Sequence, residues 1–539
     1  MIKSIRTTER NTLMLHELEY PFDSEYILKK SKSLKRRLLE ENTQRIPKKI
    51  AVLGGSTTHD IIRILELFLL NQGIEPTFYE SEYGMYWEDA MFGNEELNAF
   101  GPDLVYIHTS FRNLRSLPEV KDSREQVEDK LRSEFEHFQV MWEKLADTWH
   151  CPIIQDNFEL PYYRLMGNQD GADFHGRTWY VNRMNQMFAD YAAEHQNFLI
   201  NDICYQSAAY GLDEWSAPFF WHMYKYSLCL KAIPWMAHNV ANIMKSLYGK
   251  NKKSLVLDLD NTLWGGVLGE DGIDGIKIGG DYPGKAFLYF QEGLLELAKR
   301  GVILTICSKN NERDVLDLWE KNPFVLLRKE HFSAWRINWR NKADNIRELS
   351  EELNIGLDSL VFVDDNPTER ELVRQMLPMV EVPEFPKQSY MLPDFLISLS
   401  DRYFRVYSVT EEDRRKTEQY KANASRTQER KKFVDFDQYL QSLEIEMRIE
   451  PMNSFNVSRI AQMTQKTNQF NLTTRRCSES DLMGFSSEGW LIYCLSVKDR
   501  FGDNGITGAV LLRPIDGGYE IDSFLLSCRI CLLYTSDAA

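Results

Sequence analysis

The sequence has no apolar run long enough to cross a bilayer, no excess of basic side chains and no internal repeat. Its longest apolar patch, Ile61 to Leu70, is interrupted by Arg63 and Glu66 and reads as an amphipathic helix, whereas a membrane span needs roughly 20 predominantly apolar residues. The N-terminal stretch MIKSIRTTERNTLMLHELEY lacks the apolar core of a signal peptide, and its glutamates do not suit a transit peptide. A reducing cytoplasm is the expected compartment. With 80 acidic against 64 basic side chains the formal charge is −16, which argues against a general attraction to nucleic acid, since phosphates require clustered Lys and Arg. An acidic partner could still dock on a local basic patch. Cysteine is sparse: Cys151, Cys204, Cys229, Cys307, Cys477 and Cys494 are scattered, and only Cys528 and Cys531 form a C-x-x-C. Without a second pair, nearby His ligands or a βαβ setting, that motif makes neither a zinc site nor a thioredoxin-like one, so most of the thiols are expected to be buried.

What is present is ample core material. Apolar residues make up 43% of the 539 and aromatics 12%, so the chain is globular, and a prior of roughly 100–200 residues per domain divides it into about three units. In the first block, residues 1–248, short apolar strands alternate with helices: KIAVLGG, then a helix over Asp60–Gln72, then TFYE, DLVYIHTS, PIIQDN and FLINDI. That alternation predicts a parallel sheet covered by helices. A basic linker, GKNKKS, follows. The second block, 254–398, repeats the scheme with SLVLDLD, VILTICS and SLVFVDD, each strand ending in polar residues. In open α/β sheets the ligand crevice lies beyond the C-terminal strand ends, so these polar residues converge there. A charged helical stretch, Thr410 to Lys432, expected to be a solvated face, leads to an α+β block with strand-like WLIYCLSVKD, GAVLLRP and YEIDSFLLSC.

The chemistry concentrates in the middle block. In LVLDLDNTL, Asp258 and Asp260 stand two apart at a strand end, which places both carboxylates on one side or at the mouth. Two acids in one crevice repel and call for a cation, and Mg²⁺ prefers oxygen ligands while keeping water and substrate phosphate in its shell. FVDDNP supplies Asp364 and Asp365. Ser308 offers a hydroxyl to a phosphate oxygen, and Lys342 could neutralise charge on it. An ordinary strand end capped by Thr or Asn would explain DLDNT alone, but not four such elements in order on strand ends.

These residues resemble the haloacid dehalogenase (HAD) superfamily, with DxDxT at Asp258, Asp260 and Thr262, then Ser308, Lys342 and an acidic pair. The resemblance implies that Asp258 attacks phosphorus, that Asp260 acts as general acid and base, and that Mg²⁺ is held by Asp258, Asp260 through its backbone carbonyl, and Asp364, supported by Asp365. It also implies substrate contacts from Asn261, Thr262, Asn310 and Asn366. Fifty residues separate Asp258 from Ser308 and thirty-four separate Ser308 from Lys342, too few for a large cap. Trp264 to Pro283 can form only a small flap. Such a site admits phosphate borne on something large, or uses a neighbouring domain as its lid.

The phrases LDLDNTLWGGVLGEDG, ICSKNNE, FVDDNP, MTQKTNQFNLTTRR, DRFGDNGITG and IDSFLLSCR together are similar to the FkbH-like proteins, over roughly residues 45 to 529. That family resemblance implies Mg²⁺-dependent conversion of 1,3-bisphosphoglycerate into a glyceryl thioester on an acyl carrier protein, through its phosphopantetheine thiol, for polyketide-type biosynthesis. The implied fold class is α/β and multi-domain: a Rossmann-like HAD parallel sheet in the middle, a flavodoxin- or SGNH-like α/β domain before it, and a truncated GNAT-like α+β domain, 405–539, after it. In that last domain Phe501 to Gly505 would form a turn near the transfer site, although Asp-Asn-Gly is strong turn chemistry on its own. Either Cys528 or Cys307 could carry the acyl group, but strand alternation sets Cys307 and Ser308 on opposite faces and favours Cys307 as core. Residues after Arg529, ICLLYTSDAA, depart from the Gly-rich continuation of the family.

In the first block Ser56, Asn113, Asp213 and His222 partly match the order of an SGNH hydrolase, but Asp213 and His222 stand nine apart where the pattern has three. Ser56 also suits a helix N-cap, so a docking or substrate-holding domain is the expectation there. Two other functions remain open at this point: a simple capless phosphatase for a free metabolite or phosphoprotein, and an idle carrier-docking scaffold.

Overall fold

A computed structural model describes residues 15–40, 45–195, 197–405, 435–453, 455–466 and 477–526, with a few isolated positions between 422 and 475. The chain divides into two compact units, Met1–Leu247 and Tyr248–Ala539.

In the first unit the five expected strands are β1 (Ile46–Gly54), β2 (Ile74–Glu80), β3 (Leu104–His108), β4 (Ile153–Asp156) and β5 (Phe198–Asn201). They pair in the order β2-β1-β3-β4-β5, and every pairing is parallel. β3 and β4 are buried along their whole length, which is why they read as continuous apolar runs and not as alternating ones. The amphipathic helix expected over residues 60–72 is found at His59–Asn71, its apolar face buried through Ile61, Ile64, Leu65 and Phe68.

The second unit opens with a second parallel sheet: β6 (Ser254–Leu257), β7 (Ile303–Ser308), β8 (Ala334–Ile337) and β9 (Leu360–Val363), ordered β8-β7-β6-β9. Alternation along β6 sends Leu255 and Leu257 into one hydrophobic layer and Val256 into the other. The expected linker is already part of this unit: Lys252 N–H donates to the Tyr403 carbonyl (2.9 Å) and Lys253 N–H to that of Ser359 (2.8 Å). Residues 264–283 form the small flap predicted by the spacing. Gly265 and Lys277 exchange two backbone hydrogen bonds (3.0 and 2.7 Å), and Trp264 and Leu268 root the flap in the core.

The third sheet is antiparallel: β10 (Glu446–Pro451), β11 (Leu491–Asp499), β12 (Gly502–Ile515) and β13 (Gly518–Leu526), in that order. Ile492, Cys494, Ala509, Leu511 and Leu525 pack one face against the helices Val457–Lys466 and Glu479–Ser487. The turn between β11 and β12 is tighter than predicted. Asp499 accepts the Phe501 and Gly502 amides, while Asp503 to Gly505 already lie in β12, where the pairing shifts register. Arg426 corrects the expectation of a wholly solvated charged stretch: it is buried and forms a bidentate pair with Asp499 (2.5 and 2.8 Å). The remainder of that stretch is largely outside the described residues, as are Cys528, Cys531, the ICLLYTSDAA tail and most of TQKTNQFNLTTRR. No disulfide occurs among the described cysteines, five of which are buried. Among the described residues no helix is long and apolar enough to cross a membrane.

Candidate active site

The central strand of the second sheet carries Asp258 just past its last residue, and the parallel register of β6 with β9 sets Asp364 beside it. The Asp258 N–H donates to the Val363 carbonyl at 2.9 Å, extending the ladder by one step. Lys342, the first residue of the helix Lys342–Leu353, enters from β8, its Nζ 2.5 Å from Asp364 Oδ2 and 2.9 Å from Asp258 Oδ1. All three groups are buried. The Asp258 contact is close in distance but off the hydrogen-bonding direction, so Oδ1 remains without a directed donor.

One lysine does not balance this cluster. Carboxylate oxygens of Asp258, Asp364 and Asp365 lie within 4.8 Å of one another, a spacing that one hard cation can bridge. Burial first, then the charge of Asp258, pushes the Asp364 carboxyl up and raises that of Asp365 to about 6. Burial alone would lower the Lys342 ammonium, but Asp258 and Asp364 outweigh it and hold it above its ordinary value.

Asp260 is oriented separately. Its Oδ1 accepts from Trp264 Nε1 (2.9 Å) and the Leu268 amide (3.0 Å), and its Oδ2 from Asn310 Nδ2 (2.8 Å). Burial raises its carboxyl despite these donors. The Asp260 carboxylate is thus held between the flap and the loop after β7, while the side-chain carboxylates that cluster are those of Asp258, Asp364 and Asp365.

The four residues expected on the substrate have bonds within the protein. Asn261, in the left-handed region at φ 54°, accepts the Gly266 amide at 2.9 Å and closes the loop after Asp260. Thr262 Oγ1 accepts the Asp365 amide (3.2 Å), tying the two acidic loops together. Asn310 holds Asp260, and Asn366 caps the helix Pro367–Met376 while its own amide donates to Asp364 Oδ1 (2.8 Å). Ser308 is buried at the end of β7. Cys307 is fully buried in the opposite layer, with its thiol pushed up to about 12 by burial. A thiol so placed is not a thiolate near neutrality, which removes Cys307 as an acyl carrier.

Two supporting residues escaped the sequence reasoning. Trp264 holds Asp260, and the buried Arg370 donates to the backbone carbonyls of Asp364 (2.8 Å) and Asp365 (2.7 Å). Arg370 follows Asn366 by four residues, one helical turn, and that spacing is the signal that could have found it.

In the first unit Ser56 follows β1, and Asn113 Nδ2 donates to the Gly55 carbonyl at 2.9 Å. His222 stands exposed on the helix Pro218–Tyr224. Among the described residues the imidazole linked to Ser56, through Ser227, is His108 and not His222.

Residues 49–245 match the model of the FkbH N-terminal domain, and residues 253–408 match that of the NLI interacting factor-like phosphatases. Among solved structures, the chain is similar to the N-terminal part of the protein BF1531 from Bacteroides fragilis, which contains a phosphatase domain and is complexed with Mg. The identity is 30% and the TM-score 0.63, over 70% of this chain and 99% of that one. The chain belongs to the FkbH-like family. No curated protein matches it. The middle of this FkbH-like protein is therefore a HAD-like phosphatase domain, and the cluster around Lys342 occupies the crevice where such a sheet binds its ligand.

Proposed function

We propose that this FkbH-like protein is a Mg²⁺-dependent phosphatase and glyceryltransferase that converts 1,3-bisphosphoglycerate into a glyceryl thioester on the phosphopantetheine thiol of an acyl carrier protein. The observation that carries the phosphatase half is the convergence of Asp258, Asp364 and Asp365 around the single buried Lys342. Mg²⁺ at these three carboxylates would neutralise charge on the phosphoryl oxygens. Asp258 supplies the attacking oxygen and becomes an aspartyl phosphate. Asp260, with its carboxyl raised by burial, protonates the leaving oxygen and then takes a proton from the hydrolytic water. Lys342 holds Asp258 in line, and Ser308 is placed at the strand end to donate to the phosphate. An acyl phosphate is an activated carboxyl donor, so thiol capture followed by loss of the remaining phosphate makes the sequence of steps effectively irreversible. The match to the FkbH N-terminal domain and the separate antiparallel sheet at the other end support a division of these steps between regions of the chain.

Mass spectrometry of an acyl carrier protein incubated with 1,3-bisphosphoglycerate, Mg²⁺ and the enzyme is expected to show an added glyceryl unit. Phosphate release without any mass added to the carrier would reduce the protein to a phosphatase.

The acidic cluster also sets a pH dependence. A carboxyl raised on folding binds its proton more tightly in the folded state, so the metal-free protein loses stability as pH rises from the ordinary carboxylate range through about 6. Mg²⁺ replaces those protons above that range. Calorimetry is expected to show stabilisation at pH 7.5 of about 2.7 kcal/mol at a Mg²⁺ concentration of 100 times Kd, shrinking markedly at pH 5. Equal stabilisation at both pH values would dissociate metal binding from these carboxylates.

A further inference from the structure

The first unit holds a buried cluster of hydroxyl, imidazole and carboxyl side chains that the phosphatase site does not use. β3 ends in His108 and β4 in Asp156, Ser56 follows β1, and Ser227 enters after the helix Pro218–Tyr224. All four are buried where the C-terminal strand ends meet. His108 Nδ1 lies 2.6 Å from Asp156 Oδ2, and its Nε2 lies 3.1 Å from Ser227 Oγ. Ser56 Oγ donates to Ser227 Oγ at 3.3 Å.

Asp156 also accepts from Tyr106 Oη (3.1 Å) and Asn201 Nδ2 (2.6 Å), two donors that favour its charged form against the burial that raises its carboxyl. The His108 tautomer with its proton on Nδ1, facing the Asp156 carboxylate, leaves Nε2 to accept from Ser227. That is the order Asp, His, Ser in which a serine is activated for acyl transfer, assembled here from residues far apart in sequence. Of the two serines, Ser227 is the one whose hydroxyl meets His108 Nε2, so it is the one the imidazole can deprotonate.

Thr57 is bonded to the carbonyls of Tyr224 (2.7 Å) and Lys225 (3.0 Å), which pins the segment leading to Ser227 against the end of β1. The helix just before it exposes Phe219, Met223 and Tyr224, and the Arg112 guanidinium lies 4.6 Å from the centre of the Trp221 ring.

We propose that Ser227 is a nucleophile for small acyl esters and thioesters, with His108 as its general base and Asp156 as the residue that positions His108. Ser227 Oγ bonds to the carbonyl carbon while its proton passes to His108 Nε2. The C–O or C–S bond to the leaving group breaks, and His108 returns the proton to the departing alkoxide or thiolate. Water repeats the sequence on the acyl-serine, releasing the carboxylic acid and restoring Ser227. This activity is independent of phosphoryl transfer at Asp258.

The full-length protein treated with a fluorophosphonate probe and mapped by peptide mass spectrometry is expected to carry one adduct, on Ser227. Labelling should vanish in Ser227→Ala and slow by about 100-fold or more in His108→Gln, with circular dichroism reporting the fold. Hydrolysis of p-nitrophenyl acetate and of S-acetyl-N-acetylcysteamine separates oxygen esters from thioesters. Asp156→Asn is expected to lower kcat on the better of the two with KM unchanged, a split that a purely structural role would not produce. Absence of an adduct, or an adduct on another residue such as Ser56, overturns the proposal, and this mapping on the unaltered protein stands even if the variants fail to fold.

Discussion

Asp258→Asn is expected to reduce phosphate release by at least about 1,000-fold and to leave the fold intact. The amide has the shape of the carboxylate but no nucleophilic oxygen, so the covalent route through an aspartyl phosphate is closed. The backbone bond from residue 258 to the Val363 carbonyl is unchanged by the substitution, and Lys342, which loses the Asp258 charge, keeps Asp364 at 2.5 Å as its ion-pair partner. The variant is expected to be more stable than the parent without metal, because Lys342 then faces Asp364 and Asp365 alone and the repulsion that Asp258 adds to both is gone. With Mg²⁺ that advantage should shrink, since one ligand is weakened. Colorimetric phosphate release and thermal melting, each with and without Mg²⁺, test both halves. Retained release would sink the nucleophile assignment, and a melting point well below the parent would show that Asp258 also has a structural role.

How much of this was legible beforehand differs between the two parallel sheets. β6, β7 and β9 are apolar runs ending in polar residues, and that punctuation identified the strands and brought Asp258, Ser308 and Asp364 to one edge. β8 left no such trace. Its sequence, AWRI, carries Arg336, whose charge is matched by Glu348 (2.9 Å) and Glu352 (2.6 Å) from the following helix, a compensation that periodicity cannot show. The same limit hid the His108 relay. His108, Asp156 and Ser227 lie 48 and 71 residues apart in sequence, so only the order β1-β3-β4 of the sheet makes them neighbours. Ser56 was visible because strand, glycine pair, serine and helix follow each other locally, whereas His108, which meets it through Ser227, carried no local signal. The role of Asn261 was hidden for a different reason: an asparagine next to an aspartate pair reads as a ligand contact, but its left-handed backbone and its bond to Gly266 make it a loop closure.

Lys342→Met is the change expected to damage the protein most without metal. It keeps much of the side-chain volume but leaves the buried Asp258 and Asp364 without their shared cation, and removing one partner of a buried ion pair costs about 3–5 kcal/mol. The carboxyls respond by taking up protons, so the loss is expected at the full value near pH 7.5 and less near pH 5, where Asp364 and Asp365 are already largely protonated. Saturating Mg²⁺ should restore much of the stability, because the ion supplies the same compensating charge to the same oxygens. Turnover should not return with it. The ammonium, 2.9 Å from Asp258 Oδ1 and 2.5 Å from Asp364 Oδ2, also holds the nucleophilic carboxylate in place at the strand end, a positioning role beyond charge balance. Denaturant unfolding at the two pH values, with and without Mg²⁺, alongside phosphate release, separates these effects. Stability unaffected at pH 7.5 in the absence of metal would mean that the cluster is already protonated there and that Lys342 is not its counter-charge. Full recovery of turnover by Mg²⁺ would mean that Lys342 serves charge balance alone.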